Sequence, residues 1–114
     1  MKIDSYNFGS IKIDGKEYRN DIIVFPDRVS PDWWRKEGHN LHIEDLKEIL
    51  DYSPDVLIIG TGANGVMNVP EPTKNKLKES GIEVIEEKTT MAVNIFNQKI
   101  EKDTNAVGAF HLTC

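Results

Sequence analysis

The sequence contains a single cysteine, Cys114, so it cannot form an internal disulfide. Because we also expect no secretory signal, a reducing cytoplasm is the predicted compartment. No apolar run approaches the roughly 20 residues of a membrane span, which argues against a membrane partner. The chain has only three arginines and a formal net charge of -5. Since phosphate binding needs clustered Lys and Arg, nucleic acid is not an expected partner.

The length of 114 residues indicates one domain spanning residues 1–114. A chain of this size buries roughly two-thirds of the surface that its unfolded form exposes. It can therefore build a hydrophobic core without a metal or a disulfide.

The pattern of apolar residues predicts an α/β fold. Asp14-Gly15 between two alternating segments, residues 6–13 and 18–25, predicts an antiparallel hairpin. The apolar residues change face at Gly9, where we expect a bulge. Helices are predicted over residues 43–50, 72–80 and 89–100, with Thr89 or Thr90 as the N-cap of the last. Strands at 56–59, 82–85 and 107–112 complete the order ββαβαβαβ, a parallel βαβαβ core with an N-terminal hairpin.

A glycine-rich segment after the first core strand reads Gly60-Thr61-Gly62-Ala63-Asn64-Gly65, a literal G-x-G-x-x-G. In a dinucleotide site the third glycine opens a helix, whereas here the next helix is predicted only after Pro70. The sequence therefore favours a tight turn and predicts no cofactor. The amides of Thr61 and Gly62 remain candidates for binding a small anion.

The longest irregular segment, residues 26–40, carries Trp33-Trp34-Arg35 and His39. One interpretation is a recognition loop in which the guanidinium stacks on an indole and binds a carboxylate. The other is that one tryptophan covers the core while its neighbour is partly exposed. His39 and His42 form an H-x-x-H pair, but no further ligand completes a zinc site, and we predict no metal.

The chain ends with Phe110-His111-Leu112-Thr113-Cys114. Strand alternation places His111 on the opposite face from Cys114, so the two cannot form a catalytic pair. We expect His111 to be a hydrogen-bonded core group and Cys114 to be a buried, inert thiol. If Cys114 reacts, its partner must be His39 or His42. We predict no catalytic residue.

These motifs resemble a family of small proteins without an assigned function that spans archaea and bacteria. Its animal relatives are the adipogenesis-associated domain protein and the mitochondrial complex I assembly factor three. The resemblance covers nearly the whole chain and is most specific at Ile59-Gly60-Thr61-Gly62 and at the Phe110–Cys114 pentapeptide. It leaves open whether His39 or His42 occupies the family's histidine position. The resemblance implies a three-layer α/β domain and does not imply a catalytic mechanism.

From these observations we predict a cytoplasmic, non-catalytic binding or assembly module that acts through protein contacts. Its candidate residues are Trp33, Trp34, Arg35, His39, Gly60, Thr61, Gly62, His111 and Cys114. The alternative is a small-molecule or anion site, possibly enzymatic in nature, at the glycine-rich loop. Exposed tryptophans on an acidic domain are also compatible with a homodimer.

Overall fold

The computed structural model describes residues 1–114 and contains eight strands and three helices. The strands are β1 (Ile3–Asn7), β2 (Ser10–Ile13), β3 (Lys16–Tyr18), β4 (Ile22–Val24), β5 (Val29–Ser30), β6 (Val56–Thr61), β7 (Glu83–Glu87) and β8 (Ala106–His111). The helices are α1 (Lys47–Tyr52), α2 (Glu71–Glu79) and α3 (Thr89–Glu101), and a 3₁₀ turn over Ile43–Leu46 leads into α1. None of the helices is both long and apolar enough to cross a membrane.

A five-stranded sheet in the order β5-β4-β8-β6-β7 forms the centre of the fold. β6 pairs in parallel with β7 and β8, while β4 pairs antiparallel with the other side of β8. Every residue of β6 and β8 is buried, as expected for central strands covered on both faces. The predicted α/β fold with a parallel core is therefore confirmed.

The sheet separates two apolar clusters, which gives the domain three layers. On one face Leu57 packs with Ile49 of α1 and Leu77 of α2. On the other face Ile58 packs with Phe96 of α3 and with the inner residues of a second, smaller sheet. Leu57 and Ile58, which are adjacent in β6, thus pack on opposite faces of the sheet, in agreement with strand alternation.

The N-terminal region forms a three-stranded antiparallel sheet, β1-β2-β3, rather than the single predicted hairpin. The predicted turn is present, because Ile13 pairs with Lys16 and both Asp14 and Gly15 have positive φ. The second predicted strand is divided at Arg19. Its first part stays in the small sheet, whereas Ile22–Val24 enters the large sheet as β4 and is followed by the buried Phe25.

The predicted bulge at Gly9 is wrong. Asn7 pairs with Ser10, so Gly9 lies in the turn between β1 and β2, with a φ of +77°. The apolar residues change face there because the chain reverses direction. The register shift of this pair lies between Ile3 and Ser5 instead.

The helices predicted over 72–80 and 89–100 are confirmed as α2 and α3, whereas the first half of the helix predicted over 43–50 is the 3₁₀ turn Ile43–Leu46 and only its second half belongs to α1. Pro72 lies in the first turn of α2, and Gly81 follows that helix with a φ of +80°. In α3 the N-cap is Lys88, and no side chain caps the helix. The predicted cap, Thr89 or Thr90, is wrong, because both residues lie inside the helix. The hydroxyl of Thr89 makes other hydrogen bonds, which are described below.

Candidate functional site

A buried cluster of charged side chains lies where β4 begins and β8 ends. Ile22 pairs with Phe110 in antiparallel register, so Asp21 lies opposite His111. Arg35 reaches this pair from the following loop, and the side chains of Arg35 and His111 are only 5% and 7% exposed. The register of two central strands therefore sets the geometry of the cluster.

Asp21 is the centre of this cluster. Its Oδ2 lies 2.7 Å from His111 Nδ1 and 2.6 Å from Arg35 Nη1. Its Oδ1 accepts a hydrogen bond from the Leu112 amide at 2.8 Å. Burial by itself raises the pKa of Asp21, but the bonds from His111, Leu112 and Arg35 together outweigh burial and hold the pKa below its ordinary value. Asp21 is therefore an ionised acceptor for three groups.

The Nδ1 atom of His111 lies between two groups, Asp21 Oδ2 at 2.7 Å and Arg35 Nη2 at 3.1 Å. An ionised carboxylate only accepts and a guanidinium only donates, so the shorter contact favours a proton on Nδ1 and makes the Arg35 contact a close approach rather than a hydrogen bond. The buried Nε2 has no hydrogen-bond partner, nor has Nε of Arg35, while Nη1 of Arg35 meets Asp21 as an ion pair. A histidine oriented by a carboxylate is one part of acid–base machinery. Here, however, the free ring nitrogen is itself buried, so it does not face solvent.

The two tryptophans have different environments. Trp33 is 9% exposed, and its indole N–H donates to the Asp45 carbonyl at 3.0 Å. Trp34 is 77% exposed. The Arg35 guanidinium lies 4.7 Å from the centroid of Trp33 and binds the carboxylate of Asp21. Both interpretations of this loop are therefore partly correct. Trp33 is buried and Trp34 exposed, and the Arg35 guanidinium lies over an indole and binds a carboxylate. That carboxylate, Asp21, belongs to this chain and not to a partner.

The two histidines of the H-x-x-H pair have separate partners. The ring of His39 packs edge-on against His111, with the centroids 5.8 Å apart. His42 contacts the Glu37 carboxylate, and this hydrogen bond holds the pKa of Glu37 below its ordinary value. His39, which is itself exposed, therefore lies against the edge of the buried cluster, whereas His42 does not.

The glycine-rich loop holds the last residues of the chain. Ala63 N–H donates to the Thr113 carbonyl at 2.6 Å, and the amides of Asn64 and Val66 donate to the Cys114 carbonyl at 3.0 and 3.2 Å. The Gly62 amide donates to the hydroxyl of Thr89. An anion bound to these amides would have to displace hydrogen bonds that the chain makes with itself.

Gly62 is the point of closest approach between this loop and residues 111–114. Its φ is +108°, and a Cβ at this position would lie 2.4 Å from the Cys114 carbonyl carbon. Only glycine fits such a contact without a shift of the backbone. Thr89 completes the junction, because its hydroxyl also donates to the His111 carbonyl at 2.6 Å.

Cys114 is exposed, and the prediction that it is a buried thiol is wrong. Strand β8 ends at His111, so the alternation of faces does not extend to residue 114. The backbone of Cys114 is bound, but its side chain reaches solvent.

Four large apolar side chains are exposed, and we call them the apolar rim. They are Phe8 (65%), Trp34 (77%), Val66 (46%) and Met91 (52%). Each lies on a segment joined to residues 111–114, although the four come from different parts of the sequence. The neighbour of Phe8, Gly9, donates its amide to the Leu112 carbonyl at 2.8 Å, and Val66 bonds to Cys114.

The other two members of the rim are joined to the same segment through His111. Arg35, next to Trp34, contacts the His111 ring, and Thr89, two residues before Met91, bonds to the His111 carbonyl. A cleft of about 370 Å³ opens beside Trp34. Its lining residues are Arg19, Asn20, Asp21, Asp32, Trp33, Trp34 and Thr113.

Several residues selected from the sequence thus meet in one region. Arg35, His39 and His111 are in contact, and Thr61 is the register partner of His111 across the β6–β8 pair. Asp21, on which the cluster depends, was missed. The only signal for it in the sequence is a carboxylate directly before a run of buried apolar residues, which by itself indicates no site.

The sequence model of a family described as "Protein of unknown function (DUF498/DUF598)" matches residues 3–111. The conserved hypothetical protein PH1505 from Pyrococcus horikoshii OT3 is 30% identical, with a TM-score of 0.83, and the match covers 100% of both chains. An outer membrane protein from Bartonella henselae is 26% identical, with a TM-score of 0.85 over 98% of this chain and 94% of that one. The protein MT938 is 27% identical, with a TM-score of 0.82 over 99% and 98% of the two chains.

Proposed function

The chain belongs to the DUF498/DUF598 family of proteins of unknown function, and we propose that it is a non-catalytic binding module that contacts a protein partner through its apolar rim. An assembly role, like that of the mitochondrial complex I assembly factor that the sequence resembles, is one form of this function. We propose the cytoplasm as its compartment, because a chain with one cysteine makes no internal disulfide.

The observation that carries the proposal is the location of the exposed apolar side chains. Phe8, Trp34, Val66 and Met91 come from four separate segments, and each of those segments is tied to residues 111–114. Hydrophobic residues scattered singly over a surface are ordinary, whereas several on segments that are tied to one stretch of chain support an interaction site. Tryptophan is also among the residues that contribute most to binding energy at interfaces.

Hydrogen bonds and an ion pair hold the segments that carry the apolar rim, and this order favours binding. The buried Asp21 carboxylate fixes Arg35 at the base of the Trp34 loop, and three amides of the glycine-rich loop hold residues 113–114. Segments that are ordered before they bind lose less conformational entropy on association. The amide of Gly62, one of the two candidates for an anion site, donates to the Thr89 hydroxyl, and the amides that follow it are occupied by residues 113–114. These hydrogen bonds favour the protein-binding module over the anion-binding alternative.

Affinity capture with matched variants tests this function. Tagged parent protein, Trp34→Ala and Lys78→Ala would each be used to capture proteins from a lysate of the source cells, with quantification by mass spectrometry. Lys78 is exposed on α2 and lies outside the rim. We expect Trp34→Ala to reduce the captured partner by about tenfold or more, the loss typical of an interface tryptophan. Lys78→Ala should leave it unchanged.

The function is contradicted if Trp34→Ala and Lys78→Ala capture every protein in the same amounts as the parent. Circular dichroism of the three proteins keeps this result interpretable. Because Trp34 is 77% exposed, its replacement should leave the spectrum and the unfolding midpoint unchanged.

A further inference from the structure

We infer that the cleft beside Trp34 binds a basic side chain, arginine or lysine, presented by the protein partner. This inference rests on the proposed function and specifies the chemistry that the partner brings. The cleft measures about 370 Å³, near the lower limit of the roughly 300–1,000 Å³ that small-molecule pockets occupy. An arginine or lysine side chain fits within this volume.

An indole face and a carboxylate line this cleft. Trp34 is 77% exposed, and a cation placed over an exposed indole is attracted by the negative face of the ring. Asp32 supplies the carboxylate. The side-chain amide of Asn20 donates to Asp32 Oδ1 at 2.8 Å, which orients the group and leaves Oδ2 for a ligand. An aromatic face next to an oriented carboxylate is complementary to a guanidinium or an ammonium group.

The charges along the cleft leave Asp32 as its uncompensated group. Arg35 neutralises Asp21 at 2.6 Å, and Glu17 contacts Arg19 at 3.3 Å. Asp32 is in no ion pair, and its hydrogen bond is to the neutral amide of Asn20. Arg19 also lines the cleft, but Glu17 contacts it, so Asp32 is the charged group left to attract a cation.

Titration with two amino-acid amides tests the inference. The probes are N-acetyl-arginine amide and N-acetyl-citrulline amide, which have nearly the same shape but differ in charge. Binding would be followed by the indole and backbone N–H signals of ¹⁵N-labelled protein at low salt. The backbone amide of Lys78, which is exposed on α2 and lies outside the cleft, provides an internal control.

We expect the arginine probe to shift the Trp34 indole signal and the Asp32 amide signal in a saturable manner, with little change at the Lys78 amide. The citrulline probe should bind about tenfold more weakly, since it lacks the charge that both the indole and the carboxylate recognise. A rise to 0.5 M salt should weaken the binding of the arginine probe, as expected for an exposed charge pair.

Two aspartate variants distinguish binding in the cleft from nonspecific attraction to the negatively charged chain. Asp32→Asn should lower the affinity for the arginine probe about threefold. Asp51→Asn, which removes an exposed carboxylate on α1, should leave that affinity unchanged. Asp32 has a φ of +57°, a conformation that asparagine tolerates well, so this variant should fold.

Equal binding of the two probes, or identical affinities for parent and Asp32→Asn, would overturn the inference. That failure is distinguishable from a failure of the proposed function. If the partner uses apolar contacts alone, Trp34→Ala still loses the captured protein while the arginine probe shows no preference over citrulline.

Discussion

Asp21 and His111 are joined by a hydrogen bond of 2.7 Å between Oδ2 and Nδ1, which connects the start of β4 to the end of β8. The same carboxylate holds Arg35 and the Leu112 amide. One side chain therefore fixes the loop that carries Trp34 and the chain segment that follows β8. The surface around residues 111–114 depends on this connection.

Replacement of Asp21 tests the contribution of the cluster to stability. We expect Asp21→Asn to lower the free energy of unfolding by about 3 kcal/mol, because it leaves the buried Arg35 without its counter-charge. Urea unfolding gives the value, and the exposed Asp51→Asn serves as control with a change within about 0.5 kcal/mol. A loss no larger than that of the control would show that Arg35 is solvated and that the ion pair is dispensable.

Stability should fall with acidification because of the same carboxylate. The pKa of Asp21 is lowered in the folded chain, so its contribution is present above the unfolded value of about 4 and is lost as the pH falls through the folded pKa. The free energy of unfolding of the parent should therefore decline more steeply below about pH 4 than that of Asp21→Asn. Parallel curves for the two proteins would contradict this prediction.

Thr89 should be a stabilising residue although it does not cap α3. Its hydroxyl donates to His111 O and accepts from Gly62 N, and both partners are buried. Thr89→Val keeps the shape but removes both bonds, so we expect a loss of about 2 kcal/mol by urea unfolding. The neighbouring exposed Thr90→Val should change little, and equal effects at the two positions would refute the role given to the Thr89 hydroxyl.

Substitution of Gly62 should loosen the end of the chain. In Gly62→Ala the new Cβ meets the Cys114 backbone at 2.4 Å and the φ of +108° is unfavourable, so we expect about 1–3 kcal/mol of destabilisation. Amide hydrogen exchange should accelerate at Asn64 and Val66, whose N–H groups bond to Cys114. Gly38→Ala, which meets no atom within 4 Å, is the control. Unchanged exchange in Gly62→Ala would contradict the contact.

Cys114 should react readily in the native protein because its side chain is exposed. The rate of alkylation near pH 7 should lie within roughly threefold of the rate in denaturant. A reaction that becomes much faster only after denaturation would show that the thiol is buried.

Much of the fold could be predicted from the sequence, because the patterns of apolar residues that identify its strands and helices are local. The unbroken apolar run of residues 56–59 and the helical spacing of Ile43, Leu46 and Ile49 identify a covered strand and an amphipathic helix without tertiary information. The first 25 residues were harder. A turn and a bulge both change the face of apolar residues, and the sequence around Gly9 does not distinguish them.

The site could be predicted only in part, because its decisive contacts are distant in sequence. Asp21 and His111 are 90 residues apart and meet only because β4 pairs with β8. No motif links them. Thr89 was given a local role as a helix cap, yet its hydroxyl bonds to the glycine-rich loop and to β8. Arg35 and His111 were selected by residue type, and their mutual contact became visible only in the structure.

Photo-crosslinking from the apolar rim tests the central claim most directly. A photo-crosslinking amino acid would be placed at Val66, a rim residue that is 46% exposed, or, as control, at Lys78, and the cells irradiated before lysis. We predict one discrete protein adduct from position 66, weakened when Trp34 is replaced by alanine. The account is contradicted if position 66 yields no more adduct than position 78.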